Sequence, residues 1–218
     1  MFGSAACPRT TQDGCEFWDP TAVFDAASGD LMLLAAHSTT SQGRMSGEMT
    51  LWISRSSDAG ATWAAPQNIT SQVTSAVAGL ITPGNGHAIQ TASGTLIVAG
   101  YLRPKGDTNE GCATIRSDDS GRHWRLQLAN MSAGLGTSEC EVSEITPSRD
   151  YNLPGEMRAP PPGGAAAAAP ILLMDERMNP AQQKQRGGCG GGVPTCRWRS
   201  TSTDGGLTWV GAPRSRFT

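Results

Sequence analysis

One octapeptide recurs three times in this chain, and its recurrence restricts the possible folds more than any other feature. The pattern is Ser, any residue, Asp, any residue, Gly, any residue, Thr, Trp. It reads SSDAGATW from Ser56 to Trp63, SDDSGRHW from Ser117 to Trp124 and STDGGLTW from Ser202 to Trp209, with His123 in place of Thr in the middle copy. A pattern that returns along a chain marks a structural repeat, each copy a unit that buries its apolar face only against its neighbours. Asp58, Asp119 and Asp204 are suited to accept hydrogen bonds from nearby backbone N–H groups. Gly60, Gly121 and Gly206 tolerate positive φ, and the two together make a tight turn. Trp63, Trp124 and Trp209 are then expected to pack between sheets. With Ser56, Ser117 and Ser202 they form structural boxes, and their aspartates read as turn formers, not acid catalysts.

The segments around each box repeat as well. In the first unit the extended runs are 21–24, 31–36, 50–54 and 63–69. In the second they are 87–90, 95–101, 112–116 and 124–128, and in the third 141–145, 171–175, 197–201 and a last strand starting at Trp209. Four such runs per unit predict a four-stranded antiparallel blade, and hence an all-β chain of about three propeller blades. The expected boundaries are a cysteine-containing lead-in over 1–16, then blades over about 17–75, 76–135 and 136–218. The boxes are spaced more widely than the ~40–50 residues of compact blades. Much of the second excess falls in a low-complexity insertion, 147–170, which contains PPPGGAAAAAP. A linker between domains is the other reading of that insertion. A strand, ILLMDE, resumes directly after it and favours a loop within one blade.

Composition agrees with this class. The 27 glycines and 14 prolines favour short strands and turns over a helical bundle. A net charge of −2 provides no field to attract a nucleic acid backbone, so none is expected as a partner. No stretch approaches the roughly 20 apolar residues that span a bilayer, and MFGSAACPRT lacks the apolar core of a secretory signal. Six cysteines, Cys7, Cys15, Cys112, Cys140, Cys189 and Cys196, and two sequons, at Asn68 and Asn130, point toward a secreted or lysosome-like location. Chance sequons and a chance even count are the competing explanation. Cys189 and Cys196 suit a disulfide-closed loop better than a zinc site, because no Cys-x-x-Cys pair is present.

The boxes resemble the Asp-boxes of sialidases and several other propeller proteins, and three further segments, in order, resemble exo-α-sialidases. FWDPTAVFDAASGDLMLLAAHS is similar to the family's Asn-Pro segment, with Asp19 in place of Asn. ITPGNGHAIQTASGTLIVAGY is similar to its Gly-Pro-Gly segment and the following strand, whose end supplies an aromatic residue near the substrate, here Tyr101. TSECEVSEI resembles the Glu-Cys-x-Val-x-Glu strand, and LLMDERMN the Leu-Asn-x-Arg segment. The resemblance covers roughly residues 17–210. It implies a six-bladed sialidase-like β-propeller, of which the chain holds about three blades, and a glycoside hydrolase that removes terminal sialic acids; no cofactor or metal is expected, since calcium, which such enzymes can hold, finds no EF-hand-like ligand run here. Arg177 then matches one of three arginines that hold the substrate carboxylate, a planar fork suited to that group. Glu144, the second Glu of its segment, matches the residue that polarises a tyrosine nucleophile, a known departure from the two-carboxylate scheme. Glu144 and Arg177 are expected to face the central channel together, with Tyr101 and Asp19 nearby. His87 is expected on an inner strand as a hydrogen-bonded structural residue.

The family's early Arg-Ile-Pro arginine, acid/base Asp, third arginine and nucleophilic tyrosine find no match; the first two are expected before this chain and the others after it. The chain is therefore expected to be part of a longer sialidase, with missing blades supplied from elsewhere. The alternatives are a non-catalytic Asp-box propeller that binds glycans or protein partners and, last, an Asp-box glycosidase with paired carboxylates.

Overall fold

The computed structural model describes residues 16–38, 49–74, 78–84, 86–104, 110–128, 136–145, 170–178 and 197–212. The lead-in, the 147–170 insertion, the Asn130 sequon, and Cys7, Cys15, Cys189 and Cys196 lie outside these residues, apart from the end positions Glu16 and Pro170. The strands are β1 (Glu16–Asp25), β2 (Asp30–Ser38), β3 (Met49–Ser56), β4 (Gln67–Asn68), β5 (Ala78–Pro83), β6 (Gly86–His87), β7 (Ile89–Gln90), β8 (Leu96–Pro104), β9 (Gly111–Ser117), β10 (Arg125–Gln127), β11 (Thr137–Ile145), β12 (Ile171–Met178), β13 (Arg197–Ser202) and β14 (Val210–Ala212). One helical turn, α1 (Thr70–Val73), follows β4. No helix among the described residues is long and apolar enough to cross a membrane.

Three sheets form. The first runs β4-β3-β2-β1, the second β10-β9-β8-β5, and the third β11-β12-β13-β14, with consecutive strands antiparallel. The chain is therefore all-β and built of propeller blades, as the repeat predicts. Two expectations need correcting. The inner position of the second sheet is held mainly by β5, with β7 continuing it along β8, whereas the run starting at His87 was expected to fill it. Between them β6 crosses to pair parallel with β1 of the first sheet. His87 consequently lies beside β1 at the edge of the first sheet, with a 61% exposed side chain 3.7 Å from the Glu141 carboxylate, and not on an inner strand of the second. The outer strands are also shorter than their apolar runs: the ladder begins only at Gln67 and Arg125, past Trp63 and Trp124.

Strand β8 shows how one sequence serves two cores. Leu96, Val98 and Leu102 face a cluster shared with the first sheet's Val23, Met32, Leu34, Leu51 and Ile53. Ile97, Ala99 and Tyr101, alternating with them, face a second cluster with Cys140, Val142, Leu172 and Met174 of the third sheet. Successive strand residues point to opposite faces, so a strand with a sheet on each side reads as a continuous apolar run. Trp124 is buried in the first cluster and Trp209 in the second, while Trp63 is only half-buried.

The boxes close as their chemistry requires. Ser56 Oγ donates to Asp58 at 2.7 Å, Gly60 N donates to Ser56 Oγ at 2.7 Å, and Asp58 accepts from the Thr62 N–H at 2.8 Å and hydroxyl at 2.5 Å. The third box repeats this arrangement through Ser202, Asp204 and Thr208; in the second, His123 Nδ1 takes the hydroxyl's place, 2.6 Å from Asp119. Gly60, Gly121 and Gly206 all have positive φ. The second and third boxes are also each tied to the one before. Arg55, the residue preceding the first box, donates to the Ser120 carbonyl at 3.0 Å and to the Gly121 carbonyl, both in the second box's turn. Arg116, preceding the second box, donates to the Gly205 carbonyl of the third at 3.0 Å.

These turns make the fold sensitive to acid. The Thr62 hydroxyl and N–H hold Asp58 down to about 2 from an ordinary 3.8. Asp204 is also held at about 2: partial burial raises it, but the bonds from Thr208, Ser202 and Leu207 outweigh that. Groups depressed in the fold stabilise it above their ordinary pKa and lose that contribution as pH falls through the folded value. Stability should therefore decline between about pH 4 and pH 2. An Asp58→Asn/Asp204→Asn double variant should be weaker at pH 7 and decline less over that window. Denaturant midpoints across the pH range measure this, and an unchanged slope would clear the boxes of acid sensitivity.

Candidate active site

The inner strand of each sheet breaks register at its start. On β1 the irregularity falls between Trp18 and Thr21, on β5 between Ala78 and Ile81, and on β11 between Ser138 and Glu141. Each time, three steps on the inner strand oppose two on its partner, so one residue is extra. Bulges of this kind re-aim a side chain out of the ladder. On β1 and β11 the bulge carries an acidic residue at positive φ: Asp19 at 51° and Glu139 at 48°. Non-glycine residues pay about 1–3 kcal/mol for such a backbone and keep it only where the surroundings over-determine it.

Both bulged acids meet a side chain from a second strand. Glu139 forms an ion pair with Arg177 Nη1; Arg177 is 49% exposed and Glu139 38%. Arg177 lies near the end of β12, directly opposite Ser138. Asp19 accepts a 2.5 Å hydrogen bond from the Tyr101 hydroxyl, and both residues are buried. The phenol thus fixes the bulged aspartate, while its ring packs in the second cluster. Arg177 also stands opposite Arg197, whose Nε donates to Asp175 at 2.8 Å.

The structure separates two residues expected together. Glu144 pairs with Leu172, at the far end of the β11–β12 hairpin from Arg177. That is five residues along β12, roughly 17 Å at about 3.3 Å per residue. The Glu144 carboxylate accepts the Ala92 N–H at 2.8 Å and so fastens a turn of the second sheet. Arg177 pairs with neither Asp175 nor Glu176 beside it on β12. The residue missed by sequence reading is Glu139, the first Glu of the Glu-Cys-x-Val-x-Glu segment. Its only sequence signal was its place before Cys140, because a bulge cannot be read from alternation.

The seam behind Glu139 is tightly built. Cys140, the next residue in the bulge, forms a disulfide with Cys112 of β9 across a sequence separation of 28. Gly84 sits where a Cβ would come 2.2 Å from the Cys140 carbonyl oxygen, which gives the Gly-Pro-Gly-like segment a steric reason for its glycine. Cys112 N donates to Thr137 Oγ1 at 3.2 Å. On the strand opposite the bulge, Glu176 is 4% exposed and accepts from Ser200 at 2.5 Å. Burial pushes its pKa up, and Asp175 adds to this, against the lowering effect of bonds from Ser200 and Thr137. No group of three metal-ligating side chains occurs among the described residues.

Comparison with known proteins agrees with this architecture. A family model described as BNR repeat-like domain matches residues 5–215. A sialidase of Bacteroides fragilis is 28% identical over 141 residues, 59% of this chain and 25% of that protein. Among solved structures, a Hadza microbial sialidase superposes with a TM-score of 0.66 at 24% identity, over 94% of this chain and 34% of that one. A Trypanosoma rangeli sialidase in complex with sialic acid superposes with a TM-score of 0.61 at 16% identity, over 91% of this chain and 28% of that one. The chain thus spans between a quarter and about a third of the length of these relatives. The likeness to the solved structures establishes a sialidase-type propeller fold.

Proposed function

Because the chain belongs to the BNR repeat-like domain family, we propose that it carries part of the site of an exo-α-sialidase, a glycoside hydrolase removing terminal sialic acids from glycoconjugates. The observation that carries this reading is the half-exposed Glu139–Arg177 pair, presented by a bulge at the start of an inner strand. Arg177 offers a planar guanidinium to the sugar carboxylate, which displaces or shares Glu139. Glu139 then takes the part that the sequence resemblance assigned to Glu144, polarising a tyrosine nucleophile, while Asp19 and Tyr101 border the same end of the neighbouring blades. On this reading the three sheets are consecutive blades over about 17–75, 76–135 and 136–218. Further blades supply the remaining arginines, the acid/base aspartate and the nucleophile.

The test is release of sialic acid from a fluorogenic sialoside, together with binding of free sialic acid, by a protein that joins this chain to the remaining blades. Glu139→Gln should lower kcat by about 10²–10⁴ with KM changed only a few-fold, since activation of the nucleophile is felt in the transition state. Glu144→Gln should leave both within about twofold. The reverse pattern would return the role to Glu144. Neither turnover nor sialic acid binding would favour a non-catalytic module.

A further inference from the structure

We infer that the Cys112–Cys140 disulfide is the positioning element of the Glu139–Arg177 pair, so that the site is assembled in the oxidised protein and loosened in the reduced one. This rests on the proposed sialidase role of that pair but concerns what holds it. Cys140 is the residue following Glu139 inside the bulge, and Cys112 is the register partner of Tyr101 on β8. One covalent bond therefore joins the backbone beside the bulged acid to the strand next to the residue that fixes Asp19. Both cysteines are buried, at 4% and 1% exposure. Around this bond the bulge meets the second sheet through the packing of Cys140 and Val142 against Ile97, Ala99 and Tyr101, the Thr137 N–H on the Glu110 carbonyl, the Cys112 N–H on Thr137, and the Gly84 backbone against the Cys140 carbonyl; among the described residues the disulfide is the one covalent tie. A positive φ at a non-glycine residue relaxes once it is no longer over-determined. A dithiol such as dithiothreitol breaks the S–S bond, delivering two electrons and two protons to give two thiols while it closes to its own disulfide. Such bonds persist in oxidising compartments, so the competence of the site would follow the redox state of its surroundings.

The experiment compares the oxidised chain, the same chain after dithiothreitol, and a Cys112→Ser/Cys140→Ser double variant. Amide resonances of residues 138–141 and the Arg177 guanidinium report the site, and the Gly60, Gly121 and Gly206 amides report the boxes. Loss of the bond should shift the bulge amides and speed their hydrogen exchange at least tenfold, with the box amides unmoved and sialic acid affinity at least tenfold lower. Bulge amides unchanged without the bond would overturn the inference, whatever happens to sialic acid. If the oxidised chain fails to bind sialic acid while the bulge still responds, the sialidase reading falls and the positioning role stands. Should the serine pair fail to fold, a Cys112→Ala/Cys140→Ala pair carries the same measurement.

Discussion

Replacing Trp124 with Ala is expected to lower the free energy of unfolding by about 3–5 kcal/mol, the cost typical of deleting a buried aromatic side chain. Trp124 is 3% exposed and packs among side chains from two sheets, including Met32, Leu51, Val98 and Ile115, so its loss opens a gap between blades. Rigid strands on both sides limit how far that gap can close. Trp63, in the equivalent box position, is only half-buried, and Trp63→Ala should cost less than half as much. Denaturant unfolding of both variants decides the matter. Equal losses would mean that the Trp stabilises its own turn, not the packing between sheets.

The second large effect concerns Arg177. Arg177→Ala should weaken binding of sialic acid by at least 30-fold, since truncating one side of a hydrogen-bonded charge pair costs about 2–5 kcal/mol, and each 1.4 kcal/mol is tenfold. Arg177→Lys should recover only part of this, because an ammonium lacks the two-pronged match to a carboxylate. The uncarboxylated parts of the glycan should bind as before. Stability should hardly change: the Glu139–Arg177 pair is half-exposed, and pairs of that kind contribute about 0–1 kcal/mol to folding. Calorimetry with sialic acid and with the desialylated glycan separates the two contributions. Equal weakening of both ligands would assign Arg177 a structural role.

The repeat was legible because its chemistry is local. Ser, Asp, Gly and Thr within eight residues close a turn on themselves, and the structure realises these bonds in all three boxes. The four-strand rhythm was legible for a similar reason, since apolar runs such as 31–36 and 112–116 became buried central strands. The departures arise where distant parts of the chain decide. His87 sits in an extended run, yet β6 pairs with a strand far earlier in the sequence. Glu144 and Glu139 flank the same Val142 and both suit a strand; only the bulge, a matter of register against β12, turns Glu139 toward Arg177. Tyr101 and Asp19 were singled out separately, and the hydrogen bond between them depends on packing between two sheets. The Cys112–Cys140 pairing belongs to the same class.

The arginine that leads from one box into the turn of the next gives the assembly a direction. Each joint has a donor side, Arg55 or Arg116, and an acceptor side made of turn carbonyls, so neighbouring blades meet through unlike surfaces. Unlike faces stack head to tail and close into a ring only when the rotation per step returns to the start. The piece that carries a whole joint runs from an arginine through the following box, cutting across the blade boundary. A duplication or circular shift of the gene that respects that frame would preserve every joint, whereas one cut at the loops between sheets would have to rebuild one. Thr201 precedes the third box where the first two have arginine, so the third box does not carry this donor at that position.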